Sequence, residues 1–164
     1  MNINYYDGAG GQTTLITLDG DGANPASLAI AEAEPYDYSA QTVDSATLYT
    51  FNIVNSGNVP ATGLAITSLT APFSFPGGYP GTAIATACTT TLPALDNCDI
   101  VVEYLPTTTG LHLGNIDLNY NDGVTSQVEV QTLRGTGLSK ALLTISEVDA
   151  YDFGTVANLS LIHI

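Results

Sequence analysis

At 164 residues the chain has the length of one domain, or of one domain and part of another. Sixteen acidic residues stand against two basic ones, Arg134 and Lys140, for a net charge of −14. That balance argues against nucleic-acid binding, which draws on Lys and Arg at phosphates, and against attraction to anionic membranes. The hydrophobic content of 45% can fill a core, and no apolar run is long enough to span a membrane. The acidity reads as solubility, with divalent-cation binding as the sharper alternative.

The first stretch, Ile3 to Gly22, reads INYYDGAGGQTTLITLDGDG and recurs 115 residues later as Leu118 to Gly137, LNYNDGVTSQVEVQTLRGTG. Asn4, Tyr5, Asp7, Gly8, Gln12, Leu18, Gly20 and Gly22 return as Asn119, Tyr120, Asp122, Gly123, Gln127, Leu133, Gly135 and Gly137. The match continues without a gap: Ala26, Leu28, Ile30, Glu32 and Tyr36 return as Ala141, Leu143, Ile145, Glu147 and Tyr151. This offset is the size of one β-sandwich domain. The expected organisation is therefore the C-terminal strands of a preceding repeat over 1–22, a complete repeat over 24–138, and the first strands of a following repeat over 139–158. Residues 159–164 read as a translated sequencing adapter and are set aside with His163.

Within the complete repeat, Leu28 and Ile30 mark a strand that Glu34-Pro35 interrupts, and Tyr36-Asp-Tyr38 resumes it. Tyr49, Phe51 and Ile53 alternate along the next strand, up to the Asn55-Ser-Gly57 turn, where Gly57 is expected to take positive φ. Leu64 and Ile66 carry a further strand. Residues 71–81 hold three prolines, three glycines and the aromatics Phe73, Phe75 and Tyr79, and read as an irregular loop with one short edge strand. Another strand is expected over 82–90. Then Ile100, Val102 and Tyr104 alternate against Asp99 and Glu103, with Val101 an exception, and Pro106 ends the pairing because it has no N–H to donate.

Leu111 and Leu113 alternate in one phase, and Ile116, Leu118 and Tyr120 in the other. The slip at Gly114-Asn115 predicts a β-bulge. Asn121-Asp-Gly123 is a hairpin signal, and Val128 and Val130 lead to the glycine-rich exit Arg134-Gly-Thr-Gly137. Short strands divided by turns, with no helical period, predict an all-β antiparallel immunoglobulin-like sandwich.

Few residues offer chemistry. Cys88 and Cys98 have three readings: metal ligands without a third or fourth partner, free core thiols, or a disulfide, which is favoured. The disulfide would contribute roughly 2.7 kcal/mol on the chain-entropy model and would imply an oxidising compartment. His112, set between Leu111 and Leu113, reads as an outward strand residue, and no Ser or Cys is spaced to pair with a base. Asp19-Gly-Asp21 resembles a calcium loop, but its repeat counterpart Arg134-Gly-Thr136 has no carboxylate, so Asp19 and Asp21 are weak metal candidates. The reading names no catalytic residue and no cofactor. Phe73, Phe75 and Tyr79 are the candidate binding surface, with a cap over the sandwich edge as the plainer alternative.

The ordered set of Asn55-Ser-Gly57, Phe73-Ser-Phe75, Cys88, Leu92-Pro93, Cys98-x-Ile-x-Val-x-Tyr-x-Pro106, Gly110 and Gly135-Thr-Gly137 resembles the bacterial choice-of-anchor D repeat. Those repeats are immunoglobulin-like sandwiches related to the ASPM/SPD-2/Hydin domain. Tyr104 stands where that family usually has Phe, and Tyr151-Asp-Phe-Gly154 matches its opening pattern better than Tyr36-Asp-Tyr-Ser39 does. The resemblance implies a module of a large exported or surface-anchored bacterial protein, without catalytic residues. The expectation is a structural spacer whose first partners are neighbouring repeats of the same chain, in an extracellular or cell-surface setting. The alternatives are an adhesive module for an extracellular protein or glycan and an intracellular scaffold, which the cysteine pair disfavours.

Overall fold

The computed structural model describes residues 1–67, 69–82, 85–146, 152, 154 and 155. Eleven strands run in order: β1 (Asn2–Tyr6), β2 (Gly11–Leu15), β3 (Leu28–Ile30), β4 (Tyr36–Thr42), β5 (Thr47–Asn55), β6 (Ala61–Ile66), β7 (Phe73–Ser74), β8 (Thr91–Leu92), β9 (Asn97–Tyr104), β10 (Gly110–Asn121) and β11 (Ser126–Leu138). β1 and β2 pair with each other, and all their residues are exposed. The other strands form a five-stranded sheet, β4-β11-β10-β6-β8, and a four-stranded sheet, β3-β5-β9-β7.

The inward positions of the two sheets close one core. Phe51 and Ile53 on β5 and Ile100, Val102 and Tyr104 on β9 meet Leu64 on β6, Ile116 and Leu118 on β10 and Leu133 on β11, all at most 2% exposed. Full burial of such a side chain contributes about 1.5–3 kcal/mol. Six rings run through this core: Tyr36, Tyr38, Tyr49, Phe51, Phe73 and Tyr104. Phe73 stacks on Tyr104 with centroids 5.1 Å apart, and Tyr38 donates its hydroxyl to the Val102 carbonyl at 3.0 Å.

The strands are antiparallel with one exception, the edge pair β4–β11, which runs parallel with Leu133 opposite Tyr36 and Leu138 opposite Thr42. The expected bulge in β10 is absent, because its ladder with β11 runs without a shift from Gly110 opposite Gly137 to Asn121 opposite Ser126. Even-numbered residues of β10 therefore face inward throughout, and the leucines 111 and 113 face solvent. Gly114 faces inward as a spacer for an aromatic: a Cβ there would lie 2.7 Å from Phe73 Cδ2. Gly135 plays the same part for Tyr104, whose Cζ lies 2.6 Å from where its Cβ would be.

Two other expectations are corrected. Residues 82 and 85–90 carry no strand, only the isolated bridge of Ala87 with Asp99. Gly57 does not take positive φ; it is needed for close approach, since a Cβ would lie 2.1 Å from the Pro25 carbonyl oxygen.

The chain enters and leaves this sandwich at opposite ends. At the entry pole, Ala26 donates its N–H to the carbonyl of Asp122, in the β10–β11 turn. At the exit pole, thirteen residues along β11, Val43 donates its N–H to the carbonyl of Leu138. Asn55 holds the entry pole together while fully buried. Its Oδ1 accepts the N–H groups of Ser27 and Gly57, and its Nδ2 donates to the carbonyls of Val59, Leu92 and Pro93.

Candidate functional site

Cys88 and Cys98 are joined by a disulfide with Cα atoms 4.9 Å apart. Cys98 opens β9, and Cys88 ends the long segment that follows β7. That segment runs along the outer edge of β9. Val101 donates its N–H to the Pro80 carbonyl, Asp99 to Thr86, and Cys88 to Asp99. Thr86 also gives its hydroxyl to the Asp99 carboxylate. Gly81 sits against Val101, whose carbonyl oxygen lies 2.6 Å from where a glycine Cβ would be. This cover explains why Val101, on the outer face of β9, is only 6% exposed. The disulfide thus pins a flap that shields an otherwise open sheet edge.

The three loop aromatics do not form one surface. Phe73 is 1% exposed and belongs to the core, because β7 pairs with the end of β9 and turns the ring onto Tyr104. Phe75 and Tyr79 are half-buried, meet edge to face at 5.5 Å, and pack against the core from outside. The Tyr79 hydroxyl is buried without a hydrogen-bond partner, and burial pushes its pKa up. The surface expected from Phe73, Phe75 and Tyr79 is corrected to a half-covered pair beside a core ring.

His112 is also placed differently from expectation. Lying on an even position of an unbroken β10, it turns toward the inner side. Its Nδ1 lies 2.9 Å from Tyr104 Oη and its Nε2 lies 3.0 Å from Thr108 Oγ1. The connectivity of hydroxyl, imidazole and a third group resembles a nucleophile–base relay. The third member, however, is a phenol whose pKa is raised by burial, and it carries no negative charge to stabilise an imidazolium. The arrangement fits a structural hydrogen-bond chain that closes the exit pole.

Asp19 and Asp21 lie in the strandless, exposed stretch between β2 and β3, where Asp19 Oδ1 accepts the Gly20 N–H. Among the described residues, no group of three or more His, Cys, Asp or Glu side chains is placed to hold a metal ion. The repeated aspartates have a clear local task. Asp122 Oδ1 accepts the N–H groups of Val124 and Thr125, and Oδ2 accepts Gln127 Nε2. Asp7 repeats the set with Ala9, Gly10 and Gln12. Tyr5 opposite Gln12 and Tyr120 opposite Gln127 have the same register, and Gly8 and Gly123 share positive φ. The Thr125 N–H, then Gln127 and the Val124 N–H, hold the Asp122 carboxyl below the usual carboxylate range.

Among the described residues, two clefts open on the surface. One, between β6 and the β10–β11 hairpin, is lined by Thr62, Gly63, Asn119, Asn121, Gln127 and Val128. The other, beside the disulfide, is lined by Thr86, Thr89, Pro93, Asp96 and Asn97. Neither contains a basic residue.

No family model matches the chain, and no curated protein sequence does. Among solved structures, the Vibrio cholerae VesB protease superposes over 69% of this chain with a TM-score of 0.52 and 15% identity. The fold is an immunoglobulin-like sandwich. The chain spans about a third of VesB, 32% of its length, and the likeness is one of fold. The human CEP192 ASH/PapD-like domain 7 matches over 78% of this chain and 96% of its own, at 11% identity and a TM-score of 0.46. The secreted serine protease VesC of Vibrio cholerae matches over 70% of this chain and 24% of its own, at 14% identity and a TM-score of 0.45. No helix among the described residues is long and apolar enough to cross a membrane.

Proposed function

We propose that residues 24–138 are one non-catalytic spacer repeat of a larger secreted or cell-surface protein, of the choice-of-anchor D kind. The observation that carries this reading is the placement of the two chain ends at opposite poles, Ala26 against the Asp122 turn and Leu138 against Val43. A module threaded this way adds its full length to an array. β11 spans thirteen residues, so each repeat would add about 40 Å at about 3.3 Å per residue. Stacked repeats build length by this same addition.

Three further features support the reading. The duplicated aspartate turn and its matching register at 7–12 and 122–127 fit two copies of one hairpin. The disulfide fits an oxidising compartment. The likeness to one third of a protease chain fits a module carried within a longer protein.

The test is binding. The chain is assayed on glycan arrays and titrated with calcium while its melting temperature is followed. The spacer reading expects neither glycan retention nor a calcium-dependent rise. Specific glycan binding that Phe75→Ala abolishes would replace it with recognition by the Phe75–Tyr79 pair. A large calcium-dependent rise would assign an ion site to the acidic loops.

A further inference from the structure

We propose that consecutive repeats meet without a free linker, so that the exit pole of this repeat is a docking surface for the entry pole of the next. The proposal rests on the repeat reading above and goes beyond it: the array is a stiff rod, not a flexible string.

The argument starts from where the hold of each repeat on the chain ends. Leu138 is the last residue whose backbone is tied to this sandwich, through its pairing with β4 and its carbonyl bond to the Val43 N–H at 2.9 Å. At the entry pole, the first tied residue is Asn24. Its carbonyl accepts the Asn58 N–H at 3.1 Å, and its amide donates to Asn58 Oδ1 at 3.3 Å. Pro25 is wedged against Gly57, and Ala26 is bonded to Asp122 and 5% exposed.

The internal repeat places Ser139 at the position of Asn24, Lys140 at Pro25 and Ala141 at Ala26. The residue after the last one held by this repeat is therefore the first one held by the following repeat. A flexible joint needs several unheld residues to act as a random coil, and this arrangement leaves none.

Two observations bear on the joint. Lys140, which belongs to the following repeat by the match, pairs with Asp44 of this one at 2.8 Å. The exposed ion pair contributes little stability by itself, but it marks the direction in which the chain leaves. Leu138 and Leu111, at the exit ends of β11 and β10, point outward from one sheet, and Leu48, at the exit end of β5, points outward from the other, so they flank the exit pole; they are 48%, 64% and 54% exposed. Leu95 and Val124, in turns of the entry pole, are 71% and 78% exposed. The occupant that fits the exit pole is the entry pole of an identical module tethered one residue away.

The experiment uses a chain in which residues 1–138 are followed directly by 24–164, so that the repeat occurs twice at its native spacing. Residual dipolar couplings are measured for both repeats in a weakly aligning medium, with a second chain carrying Gly-Ser-Gly-Ser between Leu138 of the first copy and Asn24 of the second as the comparison. The expected result is one alignment tensor shared by both repeats, lost on insertion. If each repeat keeps the amide spectrum of the single repeat but the two align independently without any insertion, the docked joint is overturned, and the spacer reading survives as a flexible string. If the amide spectrum of the single repeat is lost in the doubled chain, the repeat boundaries fall, and both readings fall with them.

Discussion

Asn55→Ala removes the side chain that ties three turns at the entry pole. Asn55 is fully buried and makes five hydrogen bonds, two accepted at Oδ1 and three donated by Nδ2, of which the 3.4 Å contact to Leu92 is the weakest. Each ordinary intramolecular bond contributes about 1 kcal/mol net, and a buried partner left unpaired costs more. Counting the four shorter bonds, and allowing water to reach some of the freed groups, the expected loss is about 3–4 kcal/mol. For a sandwich of this size that is a fall in Tm of roughly 12–16 °C. Asn55→Asp keeps both acceptors but turns a carboxylate toward three carbonyls, so it should lose more at pH 7. Burial would raise the pKa of that carboxyl, and lowering the pH should protonate it and restore part of the stability. Urea and thermal unfolding followed by circular dichroism give both numbers. Asn58→Ala, an exposed position with a single side-chain bond at 3.3 Å, is the control and should change stability by under about 0.5 kcal/mol. A loss below about 1 kcal/mol for Asn55→Ala would refute the view that this residue holds the pole.

Replacing both Cys88 and Cys98 by serine should lower stability by roughly 2.7 kcal/mol on the chain-entropy model, read as a shift in the urea midpoint; an unchanged midpoint would mean that the flap over β9 is held without the bond. Phe73→Ala should cost about 3–5 kcal/mol as a core deletion, and Phe75→Ala clearly less, so equal losses in thermal melts would contradict the split placement of the two rings. Gly135→Ala should destabilise by about 1–3 kcal/mol through overpacking against Tyr104, and a neutral outcome would show that the ring can shift. The folded-state pKa of Asp122 lies below its unfolded value, so its contribution is present above about pH 4 and is lost as the pH falls through the lower folded value. Asp122→Asn should therefore flatten the acid limb of the stability curve, and an unchanged slope would assign acid sensitivity elsewhere, with Asp37, depressed by its bond to Arg134, as the next carboxylate to replace.

The parts of the fold that were legible in the sequence are those written in local alternation. β5 and β9 follow the apolar period, and the Asn121-Asp-Gly123 signal sits at the turn between β10 and β11; Val128 and Val130, read as the apolar period of β11, are exposed, and Gln131 and Leu133 are among its buried residues. The pairing of Cys88 with Cys98 was legible as the favoured of three readings. What was missed depends on contacts distant in sequence. Alternation along β10 separates two faces but does not say which is inner when leucines stand on the outer one. The inward residues there are Gly114 and His112, small or polar because Phe73 and Tyr104 fill the space above them. Val101 broke the pattern because a flap some twenty residues upstream covers it. Phe73 read as a loop aromatic because its pairing with Tyr104 is a tertiary fact. The parallel edge pair β4–β11 joins segments nearly a hundred residues apart and leaves no local mark. The duplicated Asp7 and Asp122 turns were legible as turns, though their full hydrogen-bond sets were not. The expected first strands over 139–158 fall partly outside the described residues, and the adapter reading of 159–164 falls wholly outside them; residues 139–146 carry no strand.

The claim at the centre of this account is that the module adds length. Small-angle X-ray scattering on chains carrying one, two and three copies of residues 24–138 at native spacing measures that directly. The maximum dimension should grow linearly, by about 40 Å for each added copy. Growth that levels off after the first copy, as for repeats folded back on one another, would contradict the account.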